Sequence, residues 1–121
     1  MRIVLKSKIH RGYVTSTGLD YIGSVEIDRA LMEKCDLWEY EQVVICNANN
    51  GNRWETYVLP ADYGSGTIAV QGPGARLCEP GDVIVILAYE VTDEPVEPQQ
   101  ILVDENNHFV DYLRTKYEQP V

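Results

Sequence analysis

Gly23-Ser24, within Leu19-Asp20-Tyr21-Ile22-Gly23-Ser24-Val25, is the place where this sequence can do chemistry on itself. A serine hydroxyl that follows a glycine can attack the unhindered glycine carbonyl when the fold bends the intervening peptide bond toward it. The attack converts the peptide link to an ester. Loss of the Ser24 Cα proton would then break that ester by β-elimination, leaving a carboxyl on Gly23 and a dehydroalanine that hydrolyses to a pyruvoyl ketone. A chain cut in this way yields fragments 1–23 and 24–121 and carries an electrophile of its own making. The dipeptide alone is not specific, because Gly64-Ser65 repeats it in Tyr63-Gly64-Ser65-Gly66, where a solvated turn is the natural reading.

The elements that must hold Gly23-Ser24 read mainly as β structure. Residues 2–16 hold Ile3-Val4-Leu5 and Tyr13-Val14-Thr15 and predict one long strand bent at Gly12. Val25-Glu26-Ile27 alternates as a short strand, and Asp28 is placed to cap a short helix over Arg29–Cys35. Residues 41–47 and 53–59 predict a hairpin about Asn49-Asn50-Gly51-Asn52, in which Arg53, Glu55 and Tyr57 share one face and Trp54, Thr56 and Val58 the other. Pro60 is expected to end the second strand. A short strand over 67–70 leads to an irregular loop, Gln71-Gly72-Pro73-Gly74-Ala75, and the unbroken apolar run Val83–Tyr89 predicts a strand buried on both faces. A peripheral hairpin over 101–110 and a flexible tail from about 113 to 121 complete a single domain. Many short strands, glycine turns and one short helix indicate a small closed β-barrel.

Composition narrows the partners. A net charge of −9 opposes binding to nucleic acid or an anionic membrane, whose phosphates need a basic face. Screening over about 8 Å still lets a local basic pocket capture a small anion, which singles out Lys6, Lys8, Arg11, Arg53 and Arg76. No apolar run approaches the roughly 20 residues that span a bilayer, and the apolar segment near Met1 is too short for a signal peptide, so a cytoplasmic location is expected. Cys35, Cys46 and Cys78 are odd in number and lack CxxC spacing; they read as reduced packing residues, with no metal site implied.

Taken together, Lys-Ser-Lys-Ile-His-Arg at 6–11, Tyr-Ile-Gly-Ser at 21–24, Asn-Asn-Gly-Asn-Arg-Trp-Glu-Thr-Tyr at 49–57, Gly-Ser-Gly at 64–66 and Pro-Gly-Asp-Val-Ile-Val-Ile-Leu-Ala-Tyr at 80–89 carry a resemblance. In order and spacing, to about residue 110, the chain resembles the aspartate 1-decarboxylase family. The resemblance implies a double-psi β-barrel, self-cleavage between Gly23 and Ser24, a pyruvoyl cofactor derived from Ser24 that forms a Schiff base with substrate, a homotetramer, and conversion of L-aspartate to β-alanine for pantothenate synthesis. It further implies Arg53 and Lys8 as carboxylate contacts, Tyr57 as proton donor, Thr56 as the hydroxyl that helps activate the Gly23 carbonyl, and Gly72, Pro73 and Gly74 as part of the substrate site. That chemistry is consistent with the residue types: decarboxylation at Cα needs an electron sink, cations for two carboxylates and an acid for the product carbon, and no metal.

Taken singly, each of these residues also has an ordinary role. Arg53 and Lys8 read as solvated strand positions, Thr56 and Tyr57 as β formers, and His10 as a hydrogen-bonded structural histidine. Two departures from the family pattern bear on the pocket: Gln71-Gly72-Pro73-Gly74-Ala75 stands where Asn-Gly-Ala-Ala-Ala is usual, and Cys46 where a common form has Trp. The longer amide at 71 and the fixed φ of Pro73 leave open a paralogue acting on another small acidic amino acid, such as glutamate. A non-catalytic barrel subunit is the third reading. The sequence does not decide whether cleavage is spontaneous or needs a maturation partner.

Overall fold

The structure, a computed structural model, describes residues 1–113. Strands β1 (Arg2–Tyr13) and β7 (Val83–Thr92) form a long antiparallel pair, and β4 (Gln42–Asn47) links β7 to β5 (Arg53–Ala61). On the other side of β5 lie β3 (Ser24–Asp28), parallel to it, then β6 (Ile68–Gln71) and the short β2 (Ser16–Gly18). Strand β8 (Gln99–Val103) runs parallel to β1, and β9 (Phe109–Tyr112) folds back on β8. The hydrogen-bonded order is therefore β2-β6-β3-β5-β4-β7-β1-β8-β9. With one α-helix, α1 (Arg29–Cys35), and one 3₁₀ turn (Gly72–Arg76), the described residues are mainly β with two short helical pieces, as the sequence indicates. Part of the tail expected at about 113–121, from 114 onward, lies outside the described residues.

Alternation decides what each strand buries. Ile9 of β1, Val25 and Ile27 of β3, Val43 and Ile45 of β4, Val58 of β5 and Ile84 and Ile86 of β7 all point to one shared core and are at most 1% exposed. Each such side chain contributes about 1.5–3 kcal/mol by leaving water. Helix α1 adds Leu31, Met32 and Cys35 to the same core. Burial pushes the Cys35 thiol up to about 12 and that of Cys78 up to about 11, so both stay protonated packing groups at neutral pH. No helix among the described residues is long and apolar enough to cross a membrane.

Several expectations are corrected. The first strand is bent by register shifts between Leu5 and Ser7 and between Ile9 and Gly12, with Arg11 at φ 60°, so the bend is a bulge that starts before the glycine. Pro60 does not end β5; it pairs with Ile27 of β3 inside the strand. On that edge the β4 ladder stops at Tyr57 and the last backbone bonds are those of Val58 with Tyr40 and Glu41, so a residue without an N–H is tolerated at 60. In the single chain, β7 is not buried on both faces: Ile84, Ile86 and Ala88 are buried, but Val83, Val85 and Leu87 are half-buried and Tyr89 is exposed. The segment 72–76, expected to be irregular, is the 3₁₀ turn, and β2 is a strand that the sequence pattern does not announce.

A small polar network fastens the region around β3. Asp28, which ends β3 and caps α1, is 1% exposed; its Oδ1 accepts from Ala30 N and Gly64 N, and its Oδ2 from Gly66 N, each at 2.8 Å. Gly66 O in turn accepts from Asn107 Nδ2 at 2.9 Å, while Asn107 also exchanges bonds with Tyr13 N and Tyr13 O at 2.8 Å. One carboxylate and one amide therefore tie the helix start, the Gly64–Gly66 turn, the end of β1 and the β8–β9 turn together. Asp28→Ala strands one buried and two part-buried N–H groups and removes a cap, and should lower stability by about 2–4 kcal/mol in urea unfolding. A loss below about 0.5 kcal/mol would show that water or backbone shifts replace the carboxylate.

Candidate active site

Ser24 opens β3 and is 2% exposed. It pairs directly with Gln71 of β6, and one residue later Val25 pairs with Val58 of β5, so Ser24 and Tyr57 occupy adjoining positions at the end of the parallel ladder. A cavity of about 610 Å³ opens beside Ser24, walled by Ser16, Thr17, Tyr21, Ile22, Glu26, Leu59 and Gln71. Val25 and Ile27 face the core, so Ser24 and Glu26 leave the opposite, outer face of β3. The chemistry-bearing face is thus the outside of the sheet.

Backbone contact braces Gly23. Gly72 has φ +72°, and a Cβ there would lie 2.6 Å from Gly23 Cα and 2.8 Å from Gly23 N. Only glycine allows the two backbones to approach this closely. A Cβ on Gly23 itself would meet nothing nearer than Pro73 Cδ at 3.8 Å, an ordinary contact. Gly74 is pressed against Trp54, whose Nε1 would be 2.8 Å from a Cβ at 74. The segment Gly72-Pro73-Gly74 is therefore clamped between the Gly23 backbone and the Trp54 indole. Ser24 at the wall of a cavity, with Gly23 braced by Gly72, is compatible with a ketone built from Ser24 and reached from that cavity.

The remaining sequence-derived residues divide. Tyr57 lies on the outer face with its ring centroid 6.3 Å from that of Tyr40. Thr56 takes the other face of β5, opposite the buried Val43, and the β4–β5 ladder runs from Gln42–Tyr57 to Cys46–Arg53 without a register shift. Arg53 is on the outer face, about 13 Å along β5 from Tyr57, with Nη1 3.1 Å from Cys46 Sγ. Lys8 projects outward between the buried Ser7 and Ile9 of β1, four strands from β3 and so about 19 Å away along the curved sheet. A single chain brings Tyr21, Gly23, Ser24, Gln71 and Gly72 together with Tyr57 adjoining; Lys8 and Arg53 are not among the residues that line the Ser24 cavity. His10 follows Ile9 on β1, and burial, then the charges of Lys8 and Arg11, hold its imidazole below the ordinary range, so it is neutral at pH 7.

Glu26, Leu59, Ser16 and Thr17 line the cavity beyond the residues that the sequence motifs point to. Glu26 was accessible to the same alternation argument, since it stands two residues after Ser24; β2 was not, because its pairing with β6 is a long-range event.

A model of the aspartate decarboxylase family matches residues 1–110. The chain belongs to that family. It is 46% identical over 110 residues to the aspartate 1-decarboxylase of Thermoanaerobacter pseudethanolicus, covering 88% of this chain and 94% of the relative. To the aspartate 1-decarboxylase of Caldicellulosiruptor saccharolyticus it is 48% identical over 111 residues, with 88% and 87% covered. The Shouchella clausii protein of the same name is 43% identical over 119 residues, with 95% and 94% covered.

Gly72→Ala tests the brace on Gly23. Added strain at positive φ and the clash with the Gly23 backbone should lower stability by about 1–3 kcal/mol and slow any cleavage at Gly23-Ser24, followed by intact mass over time. Unchanged stability and cleavage would show that this approach does not position the scissile bond.

Proposed function

We propose that this chain is an aspartate 1-decarboxylase that cuts itself between Gly23 and Ser24 and converts L-aspartate to β-alanine and carbon dioxide, the step that feeds pantothenate synthesis. Membership of the family supports the activity, and one structural observation supports the site: Ser24, directly after a glycine, is buried at the wall of a cavity with its scissile neighbour braced by Gly72. The fold proposed is the double-psi barrel of the family.

Before cleavage, Ser24 Oγ is the nucleophile and the Gly23 carbonyl its target. Thr56 is proposed to polarise that carbonyl on the family resemblance alone, since in the single chain it takes the other face of β5. After cleavage, the pyruvoyl ketone made from Ser24 supplies an electrophile for the substrate amine and a sink for the electrons that carbon dioxide leaves behind. Arg53 offers two parallel N–H groups to a carboxylate and Lys8 a compact positive charge. The backbone of Gly72, Pro73 and Gly74 forms a wall of the substrate site. Tyr57 is the proton donor to the substrate Cα, since a phenol O–H can yield its proton to a strongly basic carbon.

Lys8 and Arg53 lie outside the Ser24 cavity in the single chain, and the proposal therefore includes a homotetramer in which they reach substrate across a subunit contact. The outer surface offers side chains for such contacts: Ile22 is 85% exposed, Trp38 74%, Tyr21 71% and Tyr40 69%.

Intact mass is the direct test of maturation. Wild type should give fragments 1–23 and a pyruvoyl-blocked 24–121, whereas Ser24→Ala should stay one chain; complete cleavage of Ser24→Ala at the same bond would end the self-processing proposal. Tyr57→Phe keeps the ring and should fold and cut normally, but turn over aspartate about 100-fold or more slowly. Wild-type turnover in a fully cut Tyr57→Phe enzyme would transfer the proton-donor role to water or another residue.

A further inference from the structure

We propose that Glu26 is a specificity-determining residue that receives the cationic nitrogen of the bound amino acid, a role that rests on the decarboxylase reading above. Glu26 and Ser24 leave the same face of β3 and line the same cavity. Two residues of strand separate their Cα atoms by about 7 Å, and Ser24 Cα is the atom that becomes the ketone carbon. A glutamate side chain spans much of that gap, so a nitrogen brought against Ser24 Cα lies within reach of the carboxylate.

The carboxylate is held rather than free. In the β3–β6 ladder Ser24 pairs with Gln71 and Glu26 with Ala69, which makes Gln71 the diagonal neighbour of Glu26, and Gln71 Nε2 donates to Glu26 Oε1 at 2.9 Å. A carboxylate can only accept, so this bond fixes the orientation of the amide and turns Gln71 Oε1 against Gly18, where it is buried without a donor. The amide that reaches Glu26 is the longer one noted in the sequence, in place of the usual asparagine.

Among the described residues, Glu26 has no other hydrogen bond and joins no ion pair. A half-buried carboxylate beside the reacting atom, with one oxygen unengaged, has a place for a cation. Of the three charged groups of L-aspartate, only the ammonium suits it; the two carboxylates are repelled toward cationic residues elsewhere. Glu26 thereby sorts the ends of the substrate, nitrogen toward Ser24 and carboxylates away from it.

The test compares wild type with Glu26→Gln, which keeps shape and removes charge, and with Glu26→Ala as a second variant, each first shown by intact mass to be fully cut. Three quantities are measured: KM and kcat for L-aspartate, calorimetric Kd for β-alanine, which has an amine, and calorimetric Kd for succinate, which has two carboxylates and no amine. The expected result is an aspartate KM and a β-alanine Kd each raised about 10-fold, the scale of one charge-assisted hydrogen bond, with succinate binding unchanged or tighter. Equal weakening of β-alanine and succinate would reduce Glu26 to a wall of the cavity and overturn the proposal, as would no change in either. Failure of both variants to cut would also overturn it, assigning Glu26 to maturation. If wild type binds β-alanine more tightly than Glu26→Gln does but releases no carbon dioxide from aspartate, the activity reading falls while recognition of the amine by Glu26 stands.

Discussion

The position of Ser24 depends on a buried carboxylate four residues away, at the far end of the same strand. Asp28 must satisfy three backbone N–H groups from two segments, and in doing so it fixes both where β3 ends and where the Gly64–Gly66 turn sits. Gly66 can take part because its φ is +70°, and its carbonyl passes the constraint to Asn107 and so to Tyr13 at the end of β1. Cutting the chain at Gly23-Ser24 would free the N-terminus of β3. What then keeps Ser24 in place is the β3–β5 and β3–β6 ladders on either side and Asp28 at the far end. A chain cut there would need Ser24 anchored from the uncut side, and the two ladders and Asp28 supply that anchor.

The sheet separates the core from most of the candidate site by face, Thr56 excepted. Alternate residues of β3, β4, β5 and β7 fill the core, and the intervening ones carry Ser24, Glu26, Tyr57, Arg53 and, on β1, Lys8 to the outside. This arrangement was legible in the sequence wherever period-2 alternation was clean, as in 53–58, because alternation is a property of the strand itself. Helix α1 and its Asp28 cap were legible for the same local reason. The continuation of β5 through Pro60 was not, since tolerance of a proline depends on which neighbour is missing at that point in the sheet. Likewise the apolar run of β7 announced burial but not its extent: it measures hydrophobicity on both faces, and the single chain has only one core to bury it against.

The residues of the candidate site divide along the same line. Gly23, Ser24, Gln71 and Gly72 converge because β3 and β6 are adjacent, a pairing that local pattern does not specify, whereas the motif order that identifies the family was visible directly. Lys8 and Arg53 lie on the same outer surface as Ser24 yet far from it along the sheet, a separation that no motif spacing reveals. With a net charge of −9, the chain repels an acidic substrate at long range, so capture must rely on cations within about a screening length of 8 Å of the reacting atom. Under the proposed function, the two cations outside the cavity of their own chain would act on substrate held by a neighbouring copy.

The two glycines at the cut have opposite requirements, and this asymmetry clarifies what the dipeptide motif means. Gly23 has space for a Cβ, so packing does not demand glycine there; the unhindered carbonyl that a nucleophile can approach is the reason left. Gly72 has no such space: its positive φ and the proximity of Gly23 Cα exclude any side chain. The residue that makes the bond reactive is thus distinct from the residue that holds it in place. Gly64-Ser65 has the first kind of residue without the second, for a Cβ at Gly64 would meet nothing, and Ser65 sits exposed in a turn that Asp28 grips by the backbone alone. The same two letters are chemically idle at 64–65 because no opposing backbone confines the peptide bond between them.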